Sequence, residues 1–83
     1  MEKIIVEVFV PGISASFDFE VPAQMRVREF VGEVVKVLER ASQNVRFDEQ
    51  MPLLCDMDRQ CLLEDTSYLS DAGIRDAHRL MVL

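Results

Sequence analysis

His78 is the single histidine of this 83-residue chain, and side chains that assist catalysis lie close to it in the sequence. Ser70, Asp71 and Asp76 precede it, and a hydroxyl, a histidine and a carboxylate are the groups of a nucleophilic catalyst. Such a group requires hydrogen-bonded geometry, whereas only closeness along the chain links these four residues. We therefore predict that the protein is not an enzyme and that His78 faces solvent at the start of a strand.

Four acidic residues in the second half of the chain offer oxygen atoms to a cation: Asp56, Asp58, Glu64 and Asp65. Their spacing lacks the alternation and the turn glycine of a calcium-binding EF-hand loop. We interpret these residues as solvated turns, and the sequence predicts no metal and no cofactor.

Cys55 and Cys61 are the only cysteines of the chain. With a single histidine available, they cannot complete the four ligands of a closed zinc site. Facing strands of one hairpin would bring the two thiols close together. We expect instead that both cysteines stay reduced and act as small buried hydrophobic residues.

Length and charge limit the classes of partner. A chain of 83 residues supports one hydrophobic core, so we expect a single domain over residues 1–83. The net charge is −6 and the basic residues are scattered singly, which argues against a nucleic-acid partner. The apolar stretches are too short to cross a bilayer and no signal peptide is evident, so we expect a cytoplasmic protein without direct membrane insertion.

Alternating apolar residues predict a hairpin at the start of the chain. The even positions of Lys3–Val10 are apolar, so one face of this strand points into a core. Pro11 and Gly12 provide a turn. The antiparallel second strand then points three apolar side chains inward: Phe17, Phe19 and Val21.

After Pro22 the apolar spacing becomes that of an amphipathic helix. The residues that follow this spacing are Val27, Phe30, Val31, Val34 and Leu38. Gln24 and Met25 include no strong capping residue and valine is a modest helix former, so burial against a sheet must stabilise this helix. A strand over 34–38 is the alternative.

Short strands and turns make up the rest of the chain. A polar loop over 42–50 leads to a strand over 53–57, a turn, and a return strand over 61–63. The register of the strand over 53–57 stays open, because an inward Leu54 competes with an inward Leu53, Cys55 and Met57. A turn closed by Gly73 precedes a final strand over 78–83, which points Leu80 and Val82 inward.

The element order β-β-α-β-β-turn-β predicts an α+β fold. A helix between the first hairpin and the later strands favours a right-handed crossover. The last strand is then parallel to the first in the middle of a mixed sheet, and the helix packs across one face. This arrangement is a β-grasp architecture.

One motif is FDFEVPA at 17–23, which precedes a valine-rich helix. A second and more specific motif is LSDAGI at 69–74, followed by Asp76, Arg79 and Leu80. Together with the element order, these motifs resemble ubiquitin-like proteins, and among them the YukD/EsaB-like proteins encoded with bacterial type VII secretion systems. The resemblance covers nearly the whole chain and is weak over 41–52.

This resemblance implies a small cytosolic accessory or regulatory protein of a machine that exports WXG-type substrates. Such a protein acts by protein binding and not by catalysis. A similar domain forms the cytosolic N-terminal part of a multi-spanning membrane subunit in actinobacterial systems. The resemblance therefore implies a protein partner in the cytosolic part of a membrane secretion complex.

Ubiquitin and the sulfur carriers of this fold end in a flexible Gly-Gly tail. The sequence ends at Leu83 on the last predicted strand, and its three glycines lie at other positions: Gly12, Gly32 and Gly73. We therefore expect neither conjugation nor sulfur carriage. A ubiquitin-like modifier or sulfur carrier is the alternative function, as is a ubiquitin-like interaction domain of another assembly.

The strand alternation also predicts a protein-binding surface on the sheet face that the helix leaves uncovered. Its residues are Ile5, Phe9, Arg79, Met81 and Leu83. Hydrophobic side chains that are exposed together often mark a partner site. The alternatives are scattered surface hydrophobes or packing against a second copy of the chain.

Overall fold

The computed structural model describes residues 2–41 and 52–82. Its elements in chain order are β1 (Lys3–Val10), a 3-10 turn (Pro11–Ile13), β2 (Ala15–Pro22), α1 (Val27–Ala41), β3 (Leu54–Asp56), β4 (Cys61–Leu62) and β5 (Arg79–Val82). The loop predicted at 42–50 lies outside the described residues, as does Leu83.

The described strands form one mixed sheet in the order β2-β1-β5-β3-β4. β1 pairs antiparallel with β2 and parallel with β5, and β3 pairs antiparallel with both β5 and β4. The predicted α+β fold with the last strand parallel to the first in mid-sheet is therefore confirmed. The architecture is that of a β-grasp.

A hydrophobic core lies between α1 and the inward face of the sheet. Apolar residues from β1, α1, β3, β5 and the turn before β5 form one buried cluster, which includes Val6, Val8, Phe30, Val34, Leu38, Leu54, Leu69, Ile74 and Leu80. All five apolar helix positions of the sequence pattern are buried, so the helix is confirmed and the alternative strand over 34–38 is wrong. Full burial of one valine, leucine or phenylalanine side chain contributes roughly 1.5–3 kcal/mol to the stability of the fold.

The start of α1 is capped by another part of the chain. The backbone N–H of Val27 donates to the carbonyl of Ser67 at 2.8 Å, and that of Arg28 donates to the carbonyl of Asp65 at 3.0 Å. These bonds satisfy two of the helical N–H groups that have no partner within the helix. A side-chain cap is therefore unnecessary. No helix in the described ranges is long and apolar enough to cross a membrane.

β3 points Leu54 and Asp56 inward and leaves Cys55 on the opposite face. This settles the register that the sequence left open in favour of an inward Leu54. The alternation was ambiguous because a charged residue, Asp56, occupies a position that is normally apolar. The strand is also shorter than the predicted range of 53–57, and Leu53 is exposed.

The two cysteines lie on adjacent strands but point to opposite faces of the sheet. Cys55 pairs with Leu62, and Cys61 pairs with Asp56. Cys55 is half-buried and Cys61 is exposed, and both thiols are free. The expectation of two small buried hydrophobic residues is therefore wrong for Cys61, because β4 lies at the edge of the sheet.

The LSDAGI segment forms a turn whose two ends are anchored in the core. Leu69 and Ile74 are buried, and the Ile74 N–H donates to the Leu69 carbonyl at 3.0 Å. Gly73 closes this turn with a φ of +80°, in the left-handed region that favours glycine. The Arg59 guanidinium donates to the Ala72 carbonyl at 3.0 Å and lies where a side chain on Gly73 would stand.

Replacing Gly73 by alanine should destabilise the protein by about 1–2 kcal/mol, because alanine is strained at positive φ. The new Cβ would also lie 2.3 Å from an Arg59 nitrogen, so the guanidinium must move. Urea unfolding measures the decrease in the free energy of unfolding. Gly12→Ala is the matched control, since a Cβ there meets nothing within 4 Å. Equal stability of G73A and G12A would contradict this account.

Candidate functional site

A row of side chains crosses the sheet on the face opposite α1. The strand registers place Phe9 beside Met81, Met81 beside Cys55, and Cys55 beside Leu62. Phe9, Met81 and Cys55 are half-buried, and Leu62 is 56% exposed. We call these four residues the outer apolar row. It is continuous because β5 lies between β1 and β3.

Charged side chains lie next to the outer apolar row on the same face. The register places Glu7 between Asp18 of β2 and Arg79 of β5. Ile5 follows on β1 and is 47% exposed. The outer face therefore combines an apolar centre with a polar margin, the composition of many protein-binding surfaces.

The start of β5 is fixed to β1 by three contacts. The Ile5 N–H donates to the Asp76 carboxylate at 2.7 Å, and the Ile5 carbonyl accepts from the Ala77 N–H at 2.7 Å. The Glu7 N–H then donates to the His78 carbonyl at 2.9 Å. These bonds set the register that brings Met81 beside Phe9. Asp76, which follows the LSDAGI motif, thus has a structural role in positioning this face.

Asp56 is a fully buried carboxylate beneath the outer face, so its predicted place in a solvated turn is wrong. Its Oδ1 accepts from the N–H groups of Asp58 at 3.0 Å and Arg59 at 3.2 Å, and from His78 Nε2 at 2.7 Å. Its Oδ2 has no hydrogen-bond partner among the described residues and lies 3.9 Å from Arg59 Nε. The carboxylate closes the β3–β4 turn and attaches it to β5.

His78 also differs from its prediction, because its side chain is only 12% exposed and lies against acidic groups. Its Nε2 is 2.7 Å from Asp56 and 3.5 Å from an oxygen of Asp58. The expectation of a solvent-facing histidine is wrong because this contact joins the residue before β5 to the end of β3, 22 positions away along the chain. Glu64 and Asp65 are exposed, as predicted.

Asp58 accepts hydrogen bonds from Arg79 and thereby connects the turn to the outer face. The Arg79 N–H lies 3.4 Å from Asp58 Oδ2, and Arg79 Nη2 lies 3.2 Å from Oδ1. Donation by this backbone N–H, helped by the Arg79 guanidinium and by His78, lowers the pKa of Asp58 below its ordinary value. Asp58 thus orients the Arg79 side chain at the margin of the outer apolar row.

The cluster of Asp56, Asp58 and His78 brings three metal-ligating atoms within 4.8 Å of one another. Two arginines lie beside it: Arg59 3.9 Å from the Asp56 carboxylate and Arg79 3.2 Å from that of Asp58. The positive charges oppose a bound cation and already compensate both carboxylates. We therefore interpret the cluster as a network that holds the turn and β5 together.

The structure brings together four of the five residues that the sequence predicted for a binding surface. Ile5 and Phe9 of β1 share the outer face with Arg79 and Met81 of β5. Leu83 lies outside the described residues. Sequence reasoning missed two members of the outer apolar row, Cys55 and Leu62. The pairing of β3 with β5 would have identified both, but the open register of β3 concealed it.

Comparison with known proteins identifies the fold as ubiquitin-like. Neither a scan of family models nor a search of curated proteins finds a match. Among solved structures, the ubiquitin-like domain of the Mycobacterium tuberculosis type VII secretion protein ECCD1 is similar, with 18% identity and a TM-score of 0.75. The match covers 100% of this chain and 99% of that domain.

Two further structures show the range of proteins that use this fold. A chain in the structure described as the MycP5-free ESX-5 inner membrane complex matches with 19% identity and a TM-score of 0.78, over 100% of this chain and 21% of that chain. A chain of a toluene 4 monooxygenase complex matches with 11% identity and a TM-score of 0.77, over 98% of this chain and 96% of that one. At these identities the likeness shows the fold alone.

Replacing Asp56 by alanine should lower the free energy of unfolding by about 3 kcal/mol, because it removes a buried, charged hydrogen-bond acceptor. Two backbone N–H groups and His78 would lose their partner. Thermal and urea unfolding measure the change. Asp18→Ala, on the exposed side of β2, is the control and should change little. A small effect of D56A would show that the network is not required for stability.

Replacing Asp58 by asparagine should destabilise the fold at neutral pH and have no effect in strong acid. Because its pKa is lowered on folding, ionised Asp58 stabilises the native state above its ordinary pKa of 3.8. This stabilisation is lost as the pH falls through the folded pKa. Unfolding curves of wild type and D58N should therefore converge below that pH. A constant difference at every pH would exclude this linkage.

Proposed function

We propose that this protein is a non-conjugated, ubiquitin-like accessory or regulatory protein of type VII secretion that acts by binding another protein. The observation that carries the proposal is the outer apolar row, which reaches across four strands of the sheet. Phe9, Met81, Cys55 and Leu62 form this row in direct register. The sequence motifs that resemble YukD/EsaB-like proteins support the assignment to secretion.

The partner that we propose is the cytosolic part of a membrane secretion complex. This is supported by similarity to a chain of the ESX-5 inner membrane complex and to the ECCD1 domain. In this proposal the chain acts in the cytoplasm as a single domain over residues 1–83. The secretion complex would supply an apolar surface that covers the outer apolar row.

The binding energy in this proposal comes from the apolar centre of the outer face. Covering half-buried Phe9 and Met81 together with exposed Ile5 and Leu62 removes apolar area from water, at about 25 cal/mol per Å². The Arg79 side chain is held by Asp58 at 3.2 Å, so it is already oriented for a partner carboxylate. Little side-chain freedom is then lost on binding.

Three other functions use the same surface or the same fold. Packing of the outer apolar row against a second copy of the chain would make the protein a homodimer. The second alternative, a ubiquitin-like modifier or sulfur carrier, requires an activating enzyme and a free carboxyl terminus. A ubiquitin-like component of a different assembly is supported by the match to a toluene 4 monooxygenase complex.

Replacing Phe9 and Met81 each by aspartate should weaken capture of the secretion complex roughly thirtyfold, the effect of losing a central contact worth about 2 kcal/mol. The measurement is pull-down and titration with the detergent-solubilised complex. Lys36→Asp on the exposed side of α1 is the matched control. Melting curves establish that the variants fold.

Unchanged capture by F9D and M81D would contradict a role of the outer face. Analytical ultracentrifugation of the wild type separates self-association from partner binding, since a homodimer would sediment at twice the monomer mass. Incubation with an activating enzyme and ATP tests the modifier function. Formation of an acyl-adenylate would contradict the non-conjugated assignment.

A further inference from the structure

β2 (Ala15–Pro22) forms one edge of the sheet. Within the described ranges it pairs with β1 alone, over eight residues. The opposite edge is formed by β4, which is only two residues long. An edge strand of eight residues is long enough to accept a further strand from another chain, and proteins often protect such edges.

The direction of each backbone group in β2 follows from the bonds that β1 makes. The N–H of Glu7 and the carbonyl of Ile5 bond to the segment before β5, so the odd residues of β1 direct their backbone groups toward β5. The even residues of β1 must then bond to β2. Their register partners are the odd residues of β2: Ala15, Phe17, Phe19 and Val21.

The backbone groups of the intervening residues therefore point out of the sheet. Ser16, Asp18 and Glu20 each present an N–H and a carbonyl to the open edge, and no backbone partner for them exists among the described residues. Their side chains are exposed and lie on the outer face. Two of the three are acidic, and Glu20 lies 3.9 Å from the Lys3 ammonium group.

The other face of the edge is apolar. Phe17 and Phe19 point toward α1 and pack on the core, yet both remain half-buried, and no further strand of the described ranges covers them. Phe19 contacts Phe30 of α1 edge-to-face, with the ring centroids 6.0 Å apart. Phe17 and Phe19 thus form an incompletely covered apolar strip along the edge.

We propose that the β2 edge accepts an extended segment of a partner protein in which basic and apolar residues alternate. Hydrogen bonds to Ser16, Asp18 and Glu20 would pair its backbone with the sheet. Residues opposite Asp18 and Glu20 would project onto the outer face, where cross-strand charge complementarity favours lysine or arginine. The residues between them would project toward α1 and cover Phe17 and Phe19.

This second recognition site deepens the proposed protein-binding role but does not use the outer apolar row. The acidic side chains also permit a different interpretation, in which they only protect the edge from pairing. The two interpretations make different predictions for how a basic peptide binds at this edge. Protection predicts that charge attracts such a peptide without ordering it, whereas strand addition predicts new backbone hydrogen bonds.

A capped heptapeptide of alternating lysine and valine is the probe, and amide hydrogen exchange measured by NMR on the full chain is the readout. We expect slowed exchange at the amides of Ser16, Asp18 and Glu20 when the peptide is bound. The same peptide with alternate amides N-methylated keeps its charge but cannot complete the ladder. It should bind at least tenfold more weakly. A glutamate version should not bind.

The variant Asp18→Lys with Glu20→Lys should lose the lysine peptide and bind the glutamate version, since both side chains are exposed and the fold should persist. M81D, on β5 and separated from β2 by β1, should leave the amide protection unchanged, which separates this site from the outer apolar row. Equal binding of the N-methylated peptide would overturn the proposal. So would peptide binding that leaves the three β2 amides unprotected.

Discussion

The structure depends on holding β5 (Arg79–Val82) in the middle of the sheet. This strand is only four residues long, and it must pair with β1 on one side and β3 on the other. Its own hydrogen bonds are few, so contacts just before it set its position. Asp76 and Ala77 bond to Ile5, and His78 bonds to Asp56. These contacts support the pairing of β5 with β1 and β3, which keeps the outer apolar row continuous.

Holding this strand with a buried carboxylate carries a desolvation penalty, which hydrogen bonds of good geometry must offset. Asp56 meets that condition through one oxygen atom, which accepts from two backbone N–H groups and from His78. An apolar residue could fill the same inward position but could not accept the N–H groups of the turn. The buried acid therefore specifies which turn follows β3 and where β5 begins.

How well each feature could be predicted from the sequence depends on how far apart along the chain the contacting residues lie. Periodicity is local, so β1, β2 and α1 were predicted closely, and positive φ at Gly73 agrees with its predicted role in closing a turn. The Asp56–His78 bond joins residues 22 positions apart and leaves no periodic signal. The carbonyl groups that cap α1 belong to Asp65 and Ser67, and the sequence pattern did not predict this contact either. The outer face was predicted where alternation was clear, on β1 and β5, and missed on β3 and β4.

The two recognition surfaces proposed for this sheet use different chemistry, and this difference constrains how each can be tuned. The outer apolar row offers side chains, so its affinity depends on the identity of Phe9 and Met81. The β2 edge offers backbone groups that nearly every residue possesses, so substitution there alters selectivity more than the capacity to pair. Asp18 and Glu20 project onto the outer face while their backbone groups form the edge. A strand added to β2 would therefore extend the outer face, and occupancy of the edge would change the charge that a partner on the face encounters.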